Sequence, residues 1–292
     1  MIKYIEKSKP AERATDGKSF MNKQRFRLTL GCIAINLFTF VSAIAQGVRV
    51  DLPRGADNAI GDPAALKKSA VIVSIPNGDE YYLGSDLIPL EQLGGKIGDL
   101  LKRQNEPERI VYIAGGTTVA YGSIVRVMDV VRKQKVHQLG LIVNRRSEDS
   151  VSRWFLIEIP VPVDDMDLRK LKPNPLTLVV SISSDLQLKL NNRDHPEEYE
   201  PCFRLVSRYG SANDSSQLTK CMTVVFQYRF EQNAYKAGME TRADLPKDER
   251  IERTVYVKAS RSIKYGDLIS VIDAISGAGA SPIGLQVDDL PQ

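Results

Sequence analysis

Residues 109–143 read RIVYIAGGTTVAYGSIVRVMDVVRKQKVHQLGLIV, and residues 253–287 read RTVYVKASRSIKYGDLISVIDAISGAGASPIGLQV. The two align without a gap, every position pairing with the one 144 further on. Arg109/Arg253, Val111/Val255, Tyr112/Tyr256, Tyr121/Tyr265, Gly122/Gly266, Val127/Val271, Asp129/Asp273, Gly140/Gly284, Leu141/Leu285 and Val143/Val287 are identical. Most of the remaining matches exchange one aliphatic residue for another. Self-similarity of this kind marks duplicated structural units. In each copy a β-branched run, VYIA or VYVK, predicts a strand. Ser123 and Asp267 precede amphipathic runs and are residue types suited to a helix N-cap. Ile124, Val127, Met128 and Val131, matched by Leu268, Val271, Ile272 and Ile275, recur at the spacing of one apolar helix face. Gly277 and Gly279 end the second helix, while Lys133 and Lys135 suit the C-terminal dipole of the first. LGLIV and IGLQV then supply a last strand. Packing accounts for all of these positions without catalysis.

Working outward, VIVSIPNGDEYYLGS (71–85) resembles LVVSISSDLQLKLNN (178–192), 107 residues on. Each reads as two strands around a turn, at Asn77-Gly78 and Ser184-Asp185. The change of offset from 107 to 144 puts an insertion into the second copy, between hairpin and penultimate strand. In the first copy Leu90, Leu93, Ile97 and Leu100 predict a helix across that gap; in the second, Leu218, Met222, Val225 and Tyr228 predict a longer one. The inserted DHPEEYEP (194–201) reads as a polar loop. The expected fold class is α+β: a single N-terminal transmembrane helix followed by two tandem two-layer β-β-α-β-α-β domains. The expected boundaries are a basic tail (1–27), a span (28–46), a linker (47–68), domain 1 (69–145), a connector (146–174) and domain 2 with its insertion (175–292). Within the connector, Trp154 to Ile159 reads as a strand.

The charge is unevenly placed. Residues 1–27 hold eight Lys/Arg and three acids, a balance of +5, so the formal +4 of the chain leaves −1 for the rest. A basic groove for nucleic acid has no support in such a body. The tail precedes Leu28–Ala45, LTLGCIAINLFTFVSAIA, 18 residues without a charge. As a helix this reaches roughly 27 Å, enough for a bilayer core. The basic flank predicts a cytoplasmic N-terminus and an exported remainder. A cleaved signal starting at Met21 and ending at Ala43-Ile44-Ala45 is the alternative, and it exports the same residues. Thr29, Cys32, Asn36, Thr39 and Ser42 recur at helical spacing and form a weakly polar stripe suited to face another helix. Cys202 and Cys221 either pair in an oxidising compartment or stay as buried thiols. His137 and His195 stand alone, and neither CxxC nor His/Cys metal spacing occurs. Gly115-Gly116 and the Gly94-Gly95/Gly98 run lack a phosphate-loop pattern. The expectation is a protein without catalytic residues, metal or cofactor.

The basic tail, the apolar segment, VRVDLP (48–53), the hairpin, VYIA, YGSIVRVMD and LGLIV together resemble the ExbD/TolR biopolymer-transport family, and IKYGDLISVIDAISGAGASPIGLQVDDLP (263–291) resembles it again. The motif positions are Asp51, Leu52, Pro53, Tyr121, Gly122, Asp129, Tyr265, Gly266 and Asp273. The resemblance implies an inner-membrane protein with periplasmic C-terminal domains. It implies a homodimer seated among ExbB/TolQ/MotA-like membrane subunits, passing proton-driven motion to a periplasmic partner of the TonB kind. It also implies an ion-carrying Asp near the start of the span, as intramembrane acids mark ion pathways. Counted back from Leu52-Pro53, that position is Leu28; with a shift of about eight residues it is Asn36. Residues 28–45 contain no Asp or Glu.

Overall fold

A computed structural model describes residues 48–54, 57–59, 61, 70–102, 109–136, 138–144, 152–159, 174–191 and 196–286. All of them belong to the compact unit Val41–Gln292. The basic tail, the apolar segment with its polar stripe, His137 and His195 lie outside the described residues. Among the described residues, no helix is long and apolar enough to cross a membrane.

The first repeat contributes β1 (Val71–Ile75), β2 (Tyr82–Leu83), β3 (Asp86–Leu87), α1 (Leu90–Leu101), β4 (Ile110–Gly115), α2 (Tyr121–Arg132) and β5 (Gln138–Asn144). The connector contributes β6 (Ser152–Glu158). The second repeat contributes β7 (Leu178–Ile182), β8 (Leu188–Asn191), α3 (Glu200–Tyr209), α4 (Ser216–Glu231), the single turn α5 (Lys247–Arg250), β9 (Val255–Ala259), α6 (Tyr265–Gly277) and β10 (Ile283–Gln286). The hairpins, the strand–helix–strand tails and the strand at Trp154 fall where the sequence pattern puts them.

The repeats, expected as separate domains, are joined in one ten-stranded sheet, ordered β3-β2-β1-β4-β5-β6-β10-β9-β7-β8. The joining element is β6. It pairs antiparallel with all of β5, from Gln138↔Glu158 to Asn144↔Ser152. Its far edge meets β10 in parallel at Gly284↔Glu158. Two neighbouring edges that both need backbone partners are thereby satisfied by a single inserted strand. The helices of both repeats cover one face, and their buried side chains form one continuous apolar cluster running from Val71 to Leu285. Leu93, Ile97, Ile124, Val127, Met128 and Val131 enter it from the first repeat, and Leu218, Met222, Val225, Leu268, Val271 and Ile275 from the second.

The two repeats share a packing device on the opposite face. Tyr112 of β4 lies beside Gly140 of β5, and Tyr256 of β9 beside Gly284 of β10. A Cβ on either glycine would sit 2.3 Å from the tyrosine ring. The ring occupies the space where a side chain would stand, which explains why both members of the pair are identical in the two copies.

The insertion differs from the expected polar loop. Glu197–Tyr199 is a 3-10 turn that runs directly into α3. Pro196 and Pro201 fix φ where no intrahelical N–H is needed. Tyr199 is buried, with its ring 5.9 Å from that of Phe203 and 5.4 Å from that of Tyr228. Cys202 on α3 and Cys221 on α4 form a disulfide. Deeper in α4, Arg229 is 1% exposed and donates to the carbonyl of Glu252 at 2.9 Å and to that of Leu176. Burial lowers its pKa, opposed by Tyr199 and Glu252.

Candidate functional site

The helices α2 and α6 start at Tyr121 and Tyr265, two residues before the expected caps, and neither has a side-chain cap. Ser123 lies within the first turn and donates to Asp79 instead, at 3.0 Å. The orphan N–H groups that every helix start exposes are satisfied across the repeats. Tyr121 N donates to Ile263 O at 2.8 Å and Gly122 N to Arg261 O at 2.9 Å. Reciprocally, Tyr265 N donates to Val119 O at 2.7 Å and Gly266 N to Thr117 O at 2.9 Å. Each helix is thus capped by the loop that leads into the other. Ala120 and Lys264 face each other at the centre as an antiparallel bridge.

The Tyr-Gly pair makes this junction possible. Both tyrosines are fully buried, and burial raises their phenol pKa values far above the ordinary one. The glycines allow the backbones to approach. A Cβ on Gly266 would be 2.8 Å from Thr117 Cγ2 and 3.1 Å from Thr117 O; on Gly122 it would be 3.3 Å from Arg261 Cβ and O. Tyr265 also packs on Gly115, where an added Cβ would stand 2.8 Å from its ring.

The segment leading in from residue 48 ends at this junction. The Asp51 carbonyl accepts from both N and Oγ1 of Thr117, each at 2.8 Å. The Pro53 carbonyl accepts from Asn144 N at 2.9 Å. Leu52 is buried against Ile72, Ala114 and Ile142 on the sheet face opposite the helices. Further on, Asn58 reaches the second repeat: its N donates to Asp273 Oδ1 at 2.7 Å and its Nδ2 to Asp273 O at 3.1 Å. Gly277 admits it, since a Cβ there would lie 2.7 Å from Asn58 Nδ2. Gly61 N bonds Trp154 O at 3.1 Å beneath the indole, whose ring meets Tyr112 edge-on at 5.4 Å. One segment therefore clasps both repeats and the strand between them.

The motif residues divide accordingly. Tyr121, Gly122, Tyr265 and Gly266 come together at the junction, and Asp51, Leu52 and Pro53 dock beside it. Asp273 holds the segment, whereas its counterpart Asp129 pairs with Arg132 at 3.2 Å. Burial raises the Asp273 pKa, and the Asn58 hydrogen bonds pull it back in part. Thr117, Asn58 and Asn144 carry no sequence signal, since their contacts involve backbone groups that no periodicity reports. Among the described residues, no group of three or more His, Cys, Asp or Glu is placed to hold a metal ion.

Residues 32–146 match the family model described as biopolymer transport protein ExbD/TolR. Over these residues the chain is similar to the ExbD/TolR family. The Tol-Pal system protein TolR of Pseudomonas aeruginosa is 29% identical over 108 residues, which cover 33% of this chain and 71% of that protein. No solved structure matches the chain. The ExbD/TolR match takes in the docking segment, the first repeat and half of the junction. It ends at residue 146.

Proposed function

We propose that this protein is a membrane-anchored accessory subunit of an energy-transducing inner-membrane complex of the ExbB/TolQ kind, with both repeats in the periplasm. The observation that carries the reading is the ExbD/TolR match together with the way Asp51, Leu52, Pro53 and Asn58 are held. Asp51 and Pro53 are held to the first repeat by backbone hydrogen bonds, and Asn58 is held to Asp273 of the second. A displacement of the apolar segment would be passed into the sheet rather than absorbed in a slack tether. The partners in this reading are ExbB/TolQ-like subunits around the apolar segment and a periplasmic protein that receives the motion. Residues 28–45 carry no carboxylate, so the proton-carrying group is assigned to the partner subunits.

That same lack of a carboxylate favours a second reading, an exported scaffold released by cleavage after Ala45. Intact mass of the chain recovered from its native host, with identification of co-purifying membrane subunits from gently solubilised membranes, separates the two. The first reading expects an uncleaved chain that brings an ExbB/TolQ-like subunit with it. A chain beginning at Gln46, found free of membrane subunits, overturns it.

A further inference from the structure

The junction has the form of a contact between two copies of one protein. In an isologous interface residue i meets j and residue j meets i. Here Tyr121 bonds Ile263 and Tyr265 bonds Val119; Gly122 bonds Arg261 and Gly266 bonds Thr117. Every donor and every acceptor has its counterpart 144 residues away, and the central pair, Ala120 and Lys264, are counterparts of each other. The strand order has the same symmetry. β2-β1-β4-β5 is mirrored by β8-β7-β9-β10, with β6 on the dividing line. β5 runs antiparallel to β6 and β10 parallel to it, so the two halves run in opposite directions.

The symmetry is broken where the incoming segment docks. On the first repeat the docking face is Ile72, Ala114 and Ile142, with Thr117 as the clasp. The counterparts on the second are Val179, Lys258, Gln286 and Arg261. Burial follows: β1 is buried at all five residues, while β7 alternates buried and half-buried ones. The second repeat has kept the self-complementary junction and lost the site for a segment of its own.

We infer that this protein is a dimer completed within one chain. The second repeat occupies, covalently, the place that another copy of the first would take, and one segment serves both halves. The junction surface is therefore closed to a second copy. This holds independently of the membrane reading.

The test is disulfide trapping in the full-length chain, purified in detergent in a Cys32→Ser background. The Ala120–Lys264 bridge is a non-hydrogen-bonded antiparallel pair, with Cα atoms about 4.5 Å apart, inside disulfide reach of about 4.4–6.8 Å. The double variant Ala120→Cys/Lys264→Cys is expected to oxidise to a single intrachain species at the mass of one chain, 32.5 kDa. Ala120→Cys alone is expected to give no crosslinked dimer. A species of twice the mass in either variant, or a folded double variant that does not crosslink, overturns the inference. Should the double variant not fold, hydrogen exchange of the unaltered chain reads the same contact. Protection of the Tyr121, Gly122, Tyr265 and Gly266 amides should persist through about a hundredfold dilution, because an intrachain contact has no mass-action term. Protection that falls on dilution, or is absent throughout, overturns it.

Discussion

Val271→Ala tests whether the two repeats fold as one cooperative unit. Val271 on α6 and its counterpart Val127 on α2 are both 0% exposed and belong to the same apolar cluster. The substitution removes two carbon-sized groups, about 1.6 kcal/mol of transfer free energy at ~0.8 kcal/mol each. The unfilled space adds to this, giving roughly 2–3 kcal/mol. With a urea m value of about 3 kcal/mol/M, the midpoint should fall by about 0.7–1 M. The assay is urea unfolding of the full-length chain in mild detergent, followed by far-ultraviolet circular dichroism and by tryptophan fluorescence. The chain has one tryptophan, Trp154, buried on β6 between the repeats. Both signals should move together, and Val127→Ala should move them by a similar amount. A biphasic transition in which Val271→Ala leaves the Trp154 signal in place would refute the reasoning. The sheet would then be continuous in hydrogen bonding but divided in stability.

Gly266→Val drives a branched side chain against Thr117 Cγ2 and O; the expected loss is about 1–3 kcal/mol by thermal unfolding, with Gly122→Ala milder because its neighbour is 3.3 Å away. For Asp273, a folded pKa raised by burial means the folded state binds more protons than the unfolded one between the two values. Its contribution to stability is thus fully present below the ordinary carboxylate pKa and lost as pH rises through the raised one. Asp273→Asn should flatten that part of the stability–pH curve, and an unchanged curve would show that Asp273 is not its source. Cys202→Ala/Cys221→Ala opens a closed loop with a sequence separation of 19 residues, and stability should drop by about 3 kcal/mol, read as a lower urea midpoint that added reductant does not shift further.

Much of the local fold was legible because burial on one face leaves a period. The α2 and α6 faces, the β4 and β9 runs and the hairpins follow from apolar spacing and turn residues alone. Ser123 and Asp267 are cap-type residues that lie inside the first turn, because neither helix uses a capping side chain. The caps are the carbonyls of Arg261, Ile263, Thr117 and Val119, and a backbone carbonyl leaves no mark on residue type. The merging of two expected domains into one sheet was hidden for a related reason. Trp154 to Ile159 reads as a strand, but its partners, β5 on one edge and β10 on the other, are set by which edges need hydrogen bonds.

The duplication itself shows which constraints the sequence can report. Several positions identical at the 144-residue offset have the same neighbours in both copies. Tyr112 and Tyr256 cover Gly140 and Gly284, and Tyr121-Gly122 and Tyr265-Gly266 make the two halves of one junction. Asp129 and Asp273 are identical as well, yet their surroundings differ: one pairs with Arg132, the other holds Asn58. Identity there reports a shared helix position and not a shared role. The converse holds at Thr117/Arg261, Ala114/Lys258 and Ile142/Gln286, where the residues diverge because only one half receives the incoming segment. Comparing a repeat with itself therefore separates what the fold requires of both copies from what one copy alone does. The second set is where residues 51–53 dock.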